Sequence, residues 1–106
     1  MTPEELVKNF WLEKEYLLKA VLNEKSGLHS TTCFKDLNLD IDQTAQLKIA
    51  LNALLTDAFY TILLGLDGTA TIGSVQHDYK IYNDNGDELT GGDIEAYAYE
   101  YFQEHK

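Results

Sequence analysis

The hydrophobic periodicity of this chain changes near residue 59, and this change constrains the fold more than any other feature of the sequence. Before it, apolar residues recur every three or four positions, which is the spacing of an amphipathic helix. After it, the chain becomes rich in aromatic and β-branched residues, which favour strands. We therefore expect helices first and antiparallel strands after them.

The N-terminal segment predicts a helix. Thr2 can cap it, and Pro3 presets the φ angle of the first helical position. Apolar residues then repeat at helical spacing until Ser26 and Gly27, which favour a stop. The pattern predicts helix over 3–25.

A second helix is predicted after a connection without clear periodicity. Residues 28–39 show no sustained period, so we expect only a short turn there, near 34–37. Asp40 then offers an N-cap, and Gln43 is placed to complete a capping box. Helical apolar spacing follows over 41–57.

The next part of the chain predicts a three-stranded antiparallel meander. Asp67-Gly68 separates two runs of strand-forming residues, and this dipeptide is typical of tight hairpins. A second turn is predicted at 83–86, which is rich in Asn, Asp and Gly. The strand segments are 59–64, 69–72 and 78–83, with a stub at 87–89.

The last segment predicts a helix to about residue 104, starting near Thr90 and Asp93. Its apolar stripe consists of Ile94, Tyr97, Ala98, Tyr101 and Phe102. The element order predicts a single α+β domain, 1–106, with two N-terminal helices, the meander, and the C-terminal helix packed on one sheet face. We expect one shared core made of Phe10, Leu18, Leu51, Leu54, Ile62, Leu64, Ile81, Tyr97 and Phe102.

The net charge restricts the partners. The chain has 18 acidic residues, eight lysines and no arginine, a net charge of −10, so we expect no direct nucleic-acid binding. Residues 1–58 hold nine acids and six lysines, and residues 59–106 hold nine acids and two lysines. The second half is therefore the more acidic one, and such a field favours a basic partner. Acidity that serves solubility alone stays an open alternative.

No metal or cofactor is expected. Residues 83–88 superficially resemble a calcium loop, but aligning Gly86 with the glycine of an EF-hand puts Ile81 and Gly92 at ligand positions. The three histidines and one cysteine lack the paired spacing of a zinc site.

Catalysis by the single cysteine is the weakest hypothesis. Cys33 would need a base such as His29 or His77, and no glycine-flanked nucleophile turn surrounds it. A lone cysteine is more often a small buried apolar residue. We therefore expect a non-enzymatic protein, while the roles of Cys33 and of residues 28–39 stay undetermined.

A cytoplasmic location is expected. The N-terminus is acidic and lacks the basic and apolar regions of a secretory signal. The longest uninterrupted apolar run, 62–66, is much shorter than the roughly 20 residues of a membrane span. We expect no membrane association.

Exposed tyrosines beside carboxylates are the candidate binding residues. Tyr82 and Tyr99 fall off the predicted core faces, and tyrosine is enriched at interfaces. Isolated exposed aromatic residues are also common, so that alternative stays open. The predicted partner-binding set is Tyr82, Asp84, Asp87, Glu88, Glu95, Tyr99 and Glu100.

The second half of the chain resembles a known class of proteins. The segments concerned are 60–73, 79–82 with Asn85-Gly86, and 94–102. They are similar in style to small acidic bacterial immunity proteins of polymorphic toxin systems, such as those of contact-dependent growth inhibition. The resemblance implies a cytoplasmic inhibitor that binds a cognate toxin domain, commonly a basic nuclease. It implies no particular fold.

Two function classes thus remain. The first is an immunity protein that neutralises a basic toxin through an acidic surface. The alternative is a small structural or adaptor subunit that dimerises through an apolar helix face. The oligomeric state is not determined by the sequence.

Overall fold

The protein is predominantly helical in a computed structural model that describes residues 1–23 and 25–104. Its elements are α1 (Pro3–Ala20), α2 (His29–Asp36), α3 (Ile41–Leu66) and α4 (Asp93–Tyr99), with α4 continuing into a π-helical segment (Glu100–Glu104). In these described ranges the only β-type pairing is two isolated bridges. The expected α+β fold with a three-stranded meander is therefore wrong.

The predicted strand at 59–64 is the C-terminal part of α3. Thr56, Phe59 and Leu63 lie three and four positions apart, so a continued helix turns all three toward α1. The ring of Phe59 packs edge-on against Phe10, with centroids 6.0 Å apart, and Leu63 is completely buried. This packing outweighs the strand preference of the local residues.

Asp67-Gly68 ends α3 instead of turning a hairpin. Gly68 adopts a left-handed φ of 82°, which glycine tolerates best. Its N–H donates to the Gly65 carbonyl at 3.1 Å, and the Thr69 N–H donates to the Leu64 carbonyl at 2.9 Å. These two bonds form a Schellman cap.

The predicted turn at 83–86 is confirmed, although the strand before it is not. The Gly86 N–H donates to the Asn83 carbonyl at 3.0 Å, and the Leu89 N–H donates to the Ile81 carbonyl at 2.7 Å. Residues 69–72, the strand expected beside 78–83, instead form an isolated bridge from Ile72 to Val75, and the 78–83 segment pairs with the stub after the turn. Ile81 still packs against the core, and Leu89 is buried.

The first two predicted helices start where the sequence indicates. Thr2 accepts from the Glu5 N–H, and the Asp40 capping box is complete. The first helix ends at Ala20 instead of residue 25, since the Asn23 side chain accepts from the Lys25 N–H and competes with helical bonding.

A full helix, α2, replaces the expected short turn near 34–37. Thr31 of α2 is buried, and its hydroxyl lies 3.3 Å from the Ala20 carbonyl and 2.8 Å from the Ser26 hydroxyl. These bonds hold α2 against the end of α1.

Helices α1, α3 and α4 form the core at one end of the molecule. Helices α1 and α3 run antiparallel, since Lys14 contacts Thr56 whereas Phe10 contacts Phe59, and α4 packs on both helices. The rings of Phe59 and Phe102 meet edge-on at 6.5 Å. The core cluster consists of Val7, Leu63, Leu89, Ile94, Ala98 and Phe102.

Lys14 lies buried between α1 and α3, at a position where the apolar spacing of α1 predicts an apolar residue. Its Nζ donates to Asn52 Oδ1 at 3.2 Å and Thr56 Oγ1 at 3.4 Å. The same ammonium group lies 5.5 Å from the Trp11 ring centroid and 3.5 Å from Glu15 Oε1. Hydrogen bonds, a ring face and a carboxylate thus compensate for its burial.

The molecule is elongated, with extents of 47 × 26 × 25 Å. Its radius of gyration is 16.0 Å, against about 13 Å for a compact domain of this length. Two residues expected inside the core are exposed: Leu54 at 63%, and Ile62 at 38%, which lies at the level of the buried Leu63 but on another face of α3. Phe102 is buried as expected.

Helix α3 is long and apolar enough to cross a membrane, by length and composition only. Its most apolar 18-residue window has a mean hydropathy of 1.7, and 17% of that window is buried. The core helix of a soluble protein can pass the same test. The absence of a membrane span and the cytoplasmic location therefore stay predictions.

Candidate functional site

The fold divides the charge unevenly along the molecule. Residues 16–52 hold four acids and four lysines and supply the end of α1, all of α2 and the start of α3. The rest of the chain holds 14 acids and four lysines and therefore carries the whole net charge of −10. The end of the molecule built from residues 16–52 is therefore neutral overall, and the remaining two thirds of the chain carry the excess of acids.

The acidic end is built from both halves of the chain. The Asn83 amide donates to the Met1 carbonyl at 2.9 Å, and the Tyr101 hydroxyl donates to Glu4 Oε2 at 3.3 Å. These contacts bring the start of α1 beside the turn at 83–86 and the C-terminal helix. We define the acidic end by its exposed carboxylates: Glu4, Glu5, Asp84, Asp87, Glu88, Asp93, Glu95 and Glu100.

The turn holds the first group of predicted binding residues. The Asn83 Oδ1 accepts from the backbone N–H groups of Asn85 and Asp87, each at 2.9 Å, so the turn is fixed by its own side chain. An isolated bridge pairs Tyr82 with Glu88. The group Tyr82, Asp84, Asp87 and Glu88 is exposed, with Tyr82 at 56%. Lys80 lies 4.0 Å from Glu88 and neutralises part of this charge.

Glu95 and Tyr99 form a second group, on the side of α4 that faces α3. They lie one helical turn apart, and both are exposed, Tyr99 at 54%. Partial burial raises the pKa of the half-buried Tyr60 on α3, and the nearby Glu95 and Tyr99 raise it further. Tyr60 therefore belongs to the same patch as the two predicted residues.

Glu100 belongs to a third group, on the side facing α1. Desolvation raises the pKa of Tyr101. The charge of Glu4, the hydrogen bond to Glu4 and the charge of Glu100 raise this pKa further. Glu4 was missing from the predicted set. No sequence pattern could have found it, because it lies 97 residues from its partner in the chain.

Asp67 positions the C-terminal helix that carries two of these groups. Its Oδ1 accepts from the Gly91 and Gly92 N–H groups at 2.7 and 3.0 Å, and its Oδ2 accepts from the Glu95 N–H at 2.9 Å. A carboxylate is thus placed at a helix N-terminus, where the free N–H groups favour negative charge. Thr90, near the expected start of this helix, instead accepts from the Ile81 N–H.

The structure brings together one of the two cysteine–histidine pairs considered from sequence. Cys33 Sγ lies 3.7 Å from His29 Nε2, one turn apart on the exposed surface of α2. His77 instead packs edge-on against Tyr79 at 5.3 Å. Across residues 1–23 and 25–104, no group of three or more metal-binding side chains occurs.

Comparison with known proteins gives no match: no family model fits the chain, and no curated protein or solved structure is significantly similar to it. The function must therefore be argued from the surface itself.

Proposed function

We propose that the protein is a non-enzymatic immunity protein that binds and neutralises a basic toxin domain, with a nuclease as the target. The observation that carries the proposal is the group of eight exposed carboxylates that defines the acidic end of the molecule. A nuclease active site is built to hold phosphates, so a rigid group of carboxylates can occupy the same positions.

The backbone segments that carry these carboxylates are held in fixed positions, which favours binding to a partner. The turn is fixed by Asn83, and α4 is fixed by Asp67, so little conformational entropy is lost when a partner binds. Tyr82 and Tyr99 add exposed aromatic surface among the charges. Electrostatic attraction then speeds association, while the tyrosines slow dissociation.

A charge-reversal pair tests which end of the molecule binds. With the toxin nuclease encoded beside this gene, Glu95→Lys/Glu100→Lys should slow association about tenfold and weaken its salt dependence. The matched control is Asp36→Lys/Asp42→Lys, which changes the net charge equally at the neutral end, where both carboxylates are exposed. Equal effects of the two pairs would show that net charge, and not the acidic end, determines binding.

A second pair of variants tests how much Tyr99 contributes to toxin binding. Tyr99→Ala should increase the dissociation rate with little change in association. Tyr16→Ala removes a tyrosine of matching exposure, 55% against 54%, from α1. If both replacements have the same effect on dissociation, Tyr99 is not an anchor.

A further inference from the structure

Helix α2 carries a histidine and a cysteine whose metal-binding atoms face each other. Cys33 Sγ lies 3.7 Å from His29 Nε2, and both residues are exposed. The two residues are four positions apart, a separation that brings side chains together on a helix. The sequence predicted no helix at these positions, so the pairing is a consequence of α2.

The packing of α2 does not require this contact. Thr31 lies two positions from each of the two residues and therefore points to the opposite side of the helix. It is buried there, and its hydroxyl donates to the Ala20 carbonyl. Cys33 and His29 lie on the outer side of α2, where an ion in solution can reach both side chains.

The separation of the two atoms is that of two ligands on one tetrahedral ion. Zinc binds thiolate sulfur at about 2.3 Å and imidazole nitrogen at about 2.0–2.1 Å, so at a tetrahedral angle the two ligand atoms lie about 3.6 Å apart. The observed 3.7 Å therefore requires almost no movement of either side chain. Thiolate and imidazole also suit zinc better than they suit calcium or magnesium, which take oxygen ligands.

We propose that Cys33 and His29 form a binding site for a divalent ion of the zinc class. Binding forms one bond from the ion to Sγ and one to Nε2, and the thiol proton leaves to solvent. Residues 1–23 and 25–104 contain no group of three or more metal-binding side chains, so water completes the coordination. With only two protein ligands, we expect a dissociation constant in the micromolar range.

This site revises the expectation from the sequence that the chain holds no metal. It does not depend on the proposed function, because α2 belongs to the neutral end and carries none of the predicted partner-binding residues.

Titration of the purified full chain with Co²⁺ tests the proposal, with the thiol kept reduced. A cobalt–thiolate bond gives a near-ultraviolet absorption band that carboxylate ligands do not give. The band should saturate at one ion per chain, and added Zn²⁺ should displace the cobalt and remove it. Excess Mg²⁺ is present throughout, because it occupies the carboxylates of the acidic end but binds thiolate and imidazole poorly.

Two variants and a matched control identify the ligands. Cys33→Ser should remove the band, and His29→Gln should raise the dissociation constant for Co²⁺ about tenfold or more, because even an outer partner of a metal ligand contributes that much. His77→Gln is the control, since His77 is an exposed histidine that packs against Tyr79 instead. It should bind Co²⁺ as tightly as the wild type. Circular dichroism verifies that all three variants fold.

Three results would overturn the proposal. The wild type could show no thiolate band at millimolar Co²⁺. Equal affinities of His29→Gln and the wild type would leave the thiol as the only ligand. Loss of the bound Co²⁺ when Mg²⁺ is added would assign the ion to the carboxylates of the acidic end.

Discussion

Single residues join segments of this protein that are far apart in the chain. Asp67, at the end of α3, accepts three backbone N–H groups from the start of α4 and the residues before it. Tyr101 bonds to Glu4 at the opposite end of the sequence. These contacts, and not the sheet expected from the sequence, hold the C-terminal half in position.

Replacing Asp67 should destabilise the fold through α4. Asp67→Ala leaves three N–H groups without their acceptor, and we expect a loss of about 1–3 kcal/mol in the free energy of unfolding, measured by urea denaturation. Asp93→Ala is the control, because Asp93 is an exposed acid in the first turn of the same helix. Its loss should be about 0.5 kcal/mol. Equal losses would contradict the capping role of Asp67.

The raised pKa of Tyr101 predicts a pH dependence. Desolvation and the charge of Glu4 disfavour the phenolate, so the pKa in the folded state lies above the ordinary value of 10.0. The stabilisation is therefore fully present below pH 10 and is lost as the pH rises through the raised pKa. Spectrophotometric titration should show Glu4→Gln lowering this pKa.

Glu5 supplies the control for this titration, because it lies next to Glu4 but its carboxylate lies near the Thr2 hydroxyl. Glu5→Gln should leave the tyrosine titration nearly unchanged. An unchanged titration with Glu4→Gln would contradict the contact.

The sequence predicted helices better than it predicted the segments between them. Capping residues and apolar spacing located the starts of α1 and α3, because both signals are local. Phe59–Leu64 was assigned to a strand because its composition favours strands, whereas contacts with α1 decide its structure. Likewise, a Gly after an Asp can end a helix or turn a hairpin, and only the surrounding structure distinguishes the two.

The position of the core predicts very different effects for two truncations. Phe102→Ala should lower the free energy of unfolding by about 3–5 kcal/mol, since Phe102 is 1% exposed. Leu54→Ala should change it by less than about 1 kcal/mol, since Leu54 is largely exposed. Chemical denaturation checks both values, and a large loss for Leu54→Ala would place it in the core after all.

For the whole molecule, the distribution of charge is the property on which the proposed function rests. The sequence indicated an acidic C-terminal half, and the fold adds Glu4 and Glu5 to the same surface. The seven predicted binding residues are all exposed, but they form three groups around the acidic end. Their local exposure could be inferred from the pattern. Their grouping could not, because it depends on how α1, α3 and α4 pack.

Titration of nuclease activity tests the central claim most directly. The toxin domain that the proposal expects to be encoded beside this gene is assayed while purified protein is added. The activity should fall linearly to zero at one protomer per toxin, and Glu95→Lys/Glu100→Lys should leave residual activity at the same ratio. Full activity at about tenfold excess of the wild-type protein, or the lack of any toxin gene beside this one, would contradict the claim.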